Sequence, residues 1–274
     1  MPVSAESVGE GSVEQLRATY IGHATLLLRV GGLRILTDPN FDPKLGVFLP
    51  RVSAPGLKIA ELPRLDAIFL THAHADHLSF GSLRALPNDV PIYAPTTLAR
   101  SLVRAGFSSA TAVRPGETLR IGQVAVSVGK ARHMGARYVV DQWRGEALMY
   151  LFDDSRSSIL FTGDTALSPE ILSLARLVAP RRLDLALLPI GYAPPWKEYF
   201  FRRGHLTAAD ALSLFEQLDA RILVPFHWGT FRHITSGAHD AIRVFRRLLQ
   251  SHARASDVRV LEPGETLTMI TSEK

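Results

Sequence analysis

The stretch THAHADH, residues 71–77, puts three histidines and an aspartate, His72, His74, Asp76 and His77, into six consecutive positions. The preceding DAIFL is short and apolar, as a buried strand would be. Imidazole nitrogen and carboxylate oxygen bind zinc at about 2.0–2.2 Å, usually four donors to an ion. The competing reading is a polar loop with no special duty. Because the whole chain has only 10 histidines, crowding three of them here favours ligands. In an extended strand end His72 and His74 project to the same side. Asp76 and His77 follow where the chain turns towards a helix, whose N-terminus favours a negative carboxylate.

Three further apolar runs end in a donor: VSVGKARH delivers His133, ILFTGD delivers Asp164 and ILVPFH delivers His227. Each is weak alone, since a lone histidine at a strand end is commonly structural. Their shared position is the signal, because α/β folds gather active sites outside the carboxyl ends of strands. Five histidines and two aspartates exceed the needs of one tetrahedral ion. They suit two ions sharing a bridging carboxylate and a bridging water.

The elements that must position these donors can be read along the chain. Residues 18–30, ATYIGHATLLLRV, form one β-rich run, and LRILTDP beyond Gly31-Gly32 completes a predicted hairpin. Residues 39–65 read as a long loop, with helical spacing in SFGSLRAL and TTLARSLVRAG. Residues 111–154 suggest antiparallel strands. SPEILSLARLV has Ser168 as an N-cap with Pro169 at its first position, and TAADALSLFEQL is a helix capped by Thr207. Strand–helix alternation after β-rich openings predicts a layered α/β sandwich with helices over the outer sheet faces.

Composition sets limits. With 46% hydrophobic residues the 274-residue chain can bury a core, and with no cysteine it can form neither disulfide nor thiolate site. Any metal must be held by nitrogen and oxygen. Residues 1–16 lack the basic start and apolar stretch of a signal peptide and read as a disordered tail before a domain over 17–274. No apolar run approaches the roughly 18 residues of a membrane span, so a cytoplasmic location is the expectation. The net charge of +5 is compatible with an anionic substrate, although solvated helix and loop faces are the leading explanation of the arginines.

With these motifs in place, the sequence resembles the metallo-β-lactamase-fold hydrolases. THAHADH matches their signature, and the RH, TGDT and PFHWGT stretches match later ligand positions in order over residues 17–270. YIGHATLLLRVGGLRILTDPNF, LLPIGYAPPW, GHLTAADAL and FHWGTF are similar to the branch containing N-acyl-phosphatidylethanolamine-hydrolysing phospholipase D and its bacterial relatives. The resemblance implies a four-layer αβ/βα sandwich with two mixed sheets and two divalent ions, zinc ahead of manganese or iron. His72, His74 and His133 would hold one ion, Asp76, His77 and His227 the other, and Asp164 would bridge them. A hydroxide between the ions would be the nucleophile, with Asp76 steering or shuttling a proton. Phosphodiester hydrolysis of phospholipase D type leads. Lactone, ester or amide hydrolysis on the same site is the alternative. A redox di-iron site is disfavoured because such members carry a glutamate where this chain has His74. Nuclease members bring an added domain, so no nucleic-acid partner is expected.

Other residues remain open at this level. Asp38 in LTDPNF is either an outer-shell residue orienting a ligand histidine or an Asp-Pro turn residue. His205 matches a histidine near the active site of the phospholipase branch, for substrate contact or proton transfer, against a plain loop residue before Thr207. His23 reads as a strand histidine, with packing ahead of a substrate role, and His233, His239 and His252 read as surface residues. The stretch PIGYAPPWKEYFFRR reads as a loop whose Tyr192, Trp196 and Arg202 suit a small molecule with apolar and anionic parts, against plain local packing of a long loop, with peripheral membrane contact allowed.

Overall fold

The computed structural model describes residues 15–46, 49–138, 141–232 and 236–270. Of the tail expected over 1–16, residues 1–14 lie outside the described residues, and Gln15 and Leu16 instead open the first strand. Strands β1 (Gln15–Gly22) and β2 (Thr25–Val30) pair antiparallel. The run over 18–30 is therefore two strands, and His23 stands in the turn between them rather than within a strand. Gly31 and Gly32, at φ of 53° and 74°, make the predicted tight turn into β3 (Leu33–Thr37), because left-handed backbone is least costly for glycine.

The long segment that follows is not structureless: β4 (Lys44–Leu45) and β5 (Leu49–Pro50) form a small hairpin, and residues 59–61 make a 3-10 turn. Next come β6 (Ala67–Phe69), α1 (Phe80–Ala85), β7 (Ile92–Pro95), α2 (Thr96–Arg104) and β8 (Ala110–Val113). β8 runs parallel to β7, which corrects the antiparallel expectation at the start of 111–154. The expectation holds for β9 (Thr118–Ile121), β10 (Val124–Lys130) and β11 (Leu148–Asp153). The second half adds β12 (Ser158–Phe161), α3 (Pro169–Ala175), β13 (Leu185–Pro189) and α4 (Pro195–Phe201). It closes with α5 (Ala208–Leu218), β14 (Ile222–Phe226), α6 (Asp240–Leu249) and β15 (Thr266–Ile270).

A seven-stranded sheet in the order β15-β1-β2-β3-β6-β7-β8 faces a six-stranded sheet in the order β14-β13-β12-β11-β10-β9. β10 alternates, with Val124, Val126 and Val128 buried between the sheets. β12 and β13 are buried along their whole length and lie parallel in the middle of the second sheet, as strands covered on both faces should. Helix α2 packs on β7 and β8, while α3 lies on β10 and α5 on β13, so helices cover both outer faces. These are the four layers of a metallo-β-lactamase fold.

Packing between the sheets fixes the donors' starting points. Phe69, at the end of β6, meets the rings of Tyr150 and Phe152 from β11 at centroid separations of 4.9 and 5.0 Å. The Tyr150 hydroxyl donates to the Leu70 carbonyl at 2.7 Å, two residues before His72. In α5 the predicted cap is realised: Thr207 Oγ1 accepts from the Asp210 N–H, and the Asp210 carboxylate accepts from the Thr207 N–H. Ser168 occupies the N-cap position of α3, but its hydroxyl makes no capping hydrogen bond.

Candidate metal centre

All seven predicted donors meet at one edge of the sandwich. β6 leads into His72, His74, Asp76 and His77, β10 into His133, β12 into Asp164 and β14 into His227. Gly163 makes this possible: at φ +54° it lies so close to Thr71 that a Cβ would come within 2.6 Å of Thr71 Cγ2. The bare backbone lets Asp164 of the second sheet approach the histidines carried by the first.

Donor atoms of His72, His74, His133 and Asp164 lie within 4.8 Å of one another, and so do those of His23, Asp76, His77 and His227. In the first set His72 Nε2 and His133 Nε2 each stand 3.0 Å from His74 Nδ1. In the second, His227 Nε2 is 3.5 Å from Asp76 Oδ2 and 3.2 Å from Asp164 Oδ2, and His77 Nε2 is 3.4 Å from Asp164 Oδ2. Two donors about 2.0–2.1 Å from one tetrahedral ion stand about 3.3 Å apart, so these spacings fit shared ions. His77 Nε2, His227 Nε2 and Asp164 Oδ1 are buried without any hydrogen-bond partner, which is costly unless something else satisfies them. Asp164 turns Oδ2 to the second set and keeps Oδ1 in reserve, as a bridging carboxylate would.

Partners on the far ring nitrogens fix the tautomers. His133 Nδ1–H donates to the Gly204 carbonyl at 2.7 Å, leaving Nε2 for a metal. His77 Nδ1–H donates to Asp38 Oδ2 at 2.7 Å. Thr71 also donates to Asp38, from its N–H at 2.7 Å and its hydroxyl at 2.6 Å. With its proton committed there, Thr71 Oγ1 accepts from His72 Nδ1–H at 2.9 Å. Asp38 thus orients ligand histidines from a fully buried position, the outer-shell role that supports metal sites. Its left-handed backbone, φ 36°, belongs to the same turn, so both readings left open by the sequence describe one residue.

Electrostatics call for a cation between the carboxylates. Burial pushes His227 down, but the negative charge of Asp164 and the nearby Asp76 carboxylate outweigh it and raise the group to about 9. Burial likewise opposes charge on His77, yet Asp164, Asp76 and Asp38 hold it well above the ordinary histidine range. Although burial raises both carboxyls, the nearby charged His77 and His227, with the His23 hydrogen bond on Asp76, keep Asp76 and Asp164 well below the usual range. Protons on the histidines supply the positive charge that the site demands. The first set behaves oppositely: burial lowers His133 to about 3 and pushes His72 well down.

A cleft of about 530 Å³ opens onto both sets. Its apolar wall includes Leu45, Ile190, Tyr192, Phe201 and Phe231, with Arg232 as its cation. His205 lines it too, with Nε2 3.8 Å from Asp164 Oδ2 and its ring stacked on Phe201 at 4.5 Å. The stretch read as a loop before His205 is largely helix α4. Gly191 admits the Phe201 ring, which a Cβ would meet at 2.2 Å. Of the three predicted substrate residues, Tyr192 lines the cleft, whereas Trp196 and Arg202 do not. Trp196 points outward, 72% exposed, and the Arg202 guanidinium is held by Asp210 at 2.5 Å.

Sequence reading missed His23. Its ring is nearly buried, lies 3.8 Å from the His227 ring and places Nε2 2.8 Å from Asp76 Oδ2. Burial, then the neighbouring His227 charge, lowers it to about 4. The glycine before it and the return to β-formers after it were the available signs of a turn. His252 is mostly buried and faces Glu216 at 3.2 Å, while His239 is exposed as expected and His233 lies outside the described residues.

Helix, sheet, sheet and helix layers, with imidazoles and carboxylates gathered at one edge, define a metal-dependent hydrolase. The chain belongs to the beta-lactamase superfamily, whose domain matches residues 33–228. It is 31% identical over 257 residues to a metal-dependent hydrolase of Deinococcus radiodurans, covering 92% of this chain and 98% of that protein. It is 28% identical over 242 residues to the N-acyl-phosphatidylethanolamine-hydrolyzing phospholipase D of Saccharomyces cerevisiae, covering 84% of this chain. An uncharacterised Mycobacterium tuberculosis protein is 28% identical over 249 residues, covering 85% of this chain. The chain spans 51% of the yeast protein's length and 63% of the mycobacterial one's. Among solved structures, a possible metal-dependent hydrolase from Veillonella parvula superposes with a TM-score of 0.75 at 21% identity, covering 92% of this chain and 99% of that one. No helix among the described residues is long and apolar enough to cross a membrane.

Proposed function

We propose that the protein hydrolyses a phosphodiester carrying an apolar substituent, with two divalent ions, zinc by preference, held by the two donor sets. The observation that carries this reading is the single cleft that joins both sets to an apolar wall with a cation at Arg232. Its similarity to the yeast phospholipase D points the same way. A donor set of nitrogen and oxygen alone suits zinc and tolerates manganese or iron.

Two such ions would supply an acidified water and offset the negative charge that builds on the oxygens around the attacked phosphorus. The chain's own residues do the rest. Tyr192, Phe201 and Phe231 hold the apolar part of the substrate and exclude water, and Arg232 meets its anionic part. Asp76 orients the attacking water and accepts its proton. His205 Nδ1 faces the Phe201 carbonyl at 3.2 Å and donates to it, so Nε2 presents a lone pair to the cleft. Burial keeps this imidazole neutral, so Nε2 can accept a hydrogen bond from a substrate hydroxyl, and the P–O bond to the leaving alkoxide breaks as that oxygen takes the proton Asp76 received.

A cleft so largely apolar also suits a lactone or a carboxylic ester. Purified protein loaded with zinc or manganese should be assayed on panels of alkyl phosphodiesters and lactones. Faster turnover of diesters with longer apolar substituents is expected; turnover of lactones alone would exclude phosphodiester hydrolysis.

A further inference from the structure

We infer that His23 is a positioning residue for the second donor set, its Nε2–H holding Asp76 Oδ2 in the orientation from which that carboxylate reaches an ion. The inference rests on the second set of the proposed function taking up a metal, and it concerns how that set is built.

Two observations separate His23 from the ligands around it. Its Nε2 stands 2.8 Å from Asp76 Oδ2, the length of a charge-assisted hydrogen bond and shorter than the 3.2–3.5 Å between ligand atoms of the second set. Within the second set, among the described residues, His77 and His227 come within 4.0 Å of the Asp164 carboxylate, and His23 does not. It therefore stands one residue back from the point where the ions would meet.

Asp76 needs such a support. Its loop leaves the side chain about a quarter exposed, and within 4.0 Å its one other ion-pair partner among the described residues is His227. Asp38, by comparison, is fixed by three donors. His23 is itself held from several sides. Its backbone is left-handed at φ 57°, its N–H donates to the Tyr20 hydroxyl at 3.0 Å, and its carbonyl accepts from the His227 N–H at 3.0 Å. Its ring lies against His227 and meets the Phe231 edge at 5.3 Å. A left-handed non-glycine residue costs free energy and persists where its surroundings hold it. Here the strained turn aims one N–H at one carboxylate.

The test compares wild type with His23→Phe, which keeps a ring and loses the donor, and His23→Gln, which restores a donor at similar reach. Zinc binding is measured by competition with a chelator of known affinity, site by site. We expect His23→Phe to leave the tighter ion within about twofold and to weaken the other about 10–100-fold, as loss of an outer-shell partner does. His23→Gln should recover most of that loss. Equal weakening of both ions, or none, overturns the inference. In zinc-loaded wild type, a histidine 1H–15N correlation spectrum should show a slowly exchanging Nε2–H assigned to His23. Its absence overturns the inference even if both variants fail to fold, because a ligating Nε2 carries no proton. A wild type that binds a single ion overturns this inference together with the two-ion reading. Two ions bound equally by wild type and His23→Phe overturn this inference alone.

Discussion

In the first donor set, desolvation keeps three imidazoles neutral, His72 buried and His74 and His133 partly so, with His133 lowered to about 3. In the second, a few ångströms away, two carboxylates keep His77 and His227 charged, the latter to about 9. Both sets share Asp164, so the difference arises from what surrounds it. Backbone and hydroxyl acceptors support the neutral rings of the first set, whereas Asp38, Asp76 and Asp164 surround the histidines of the second. A site rich in neutral nitrogen is open to metal at any ordinary pH. One rich in carboxylate holds protons in the metal's place and must release them first.

The largest test of this contrast removes what the sets share. Asp164→Ala should abolish uptake of both ions by elemental analysis and reduce hydrolysis by several orders of magnitude; retained activity would contradict the shared carboxylate. His133→Ala should be more selective, with one ion lost and the other kept. Asp38→Ala should lower unfolding stability by about 3 kcal/mol, because Thr71 and His77 lose a buried charged acceptor, and should weaken metal binding about 10–100-fold.

The pH dependence follows from the protons. Held by Asp164 and Asp76, His227 is raised to about 9, above the ordinary 6.5, so its charge stabilises the fold fully below about pH 6.5, and that contribution is lost as pH rises through about 9. Metal entering the second set displaces one proton each from His77 and His227, so its affinity should rise about a hundredfold per pH unit from 7 towards 9, while first-set affinity stays flat. Parallel slopes for the two ions in chelator-buffered titrations would erase the distinction. The smallest effects belong to the cleft. Phe201→Ala should raise KM about tenfold with kcat within twofold, and Trp196→Ala, on the outer face of α4, should change KM on a short soluble substrate by less than twofold.

Seven donors were legible because each follows an apolar run, and covered strands leave no other place for polar residues than their ends. Asp38 was half legible: LTDP announced a turn, but its bonds to Thr71 and His77 depend on β3 and β6 lying side by side. His23 was hidden because β-formers on both sides make two strands look like one. In α4, Pro194-Pro195 was a usable sign, since proline at the first helical position starts helices. Once that stretch is helical, side chains four apart share a face, and the cleft receives Phe201 rather than Trp196. Arg202 was misplaced for a related reason, because Asp210, which holds it, belongs to the next helix.

The Tyr150 hydroxyl on the Leu70 carbonyl crosses from one sheet to the other just upstream of His72. It couples interior packing to chemistry: Tyr150→Phe leaves the aromatic cluster intact but releases the strand end that aims the first imidazole. Drift in this part of the core would thus be felt as altered ion occupancy before it was felt as unfolding, which leaves Tyr150 less free to vary than its distance from any substrate suggests.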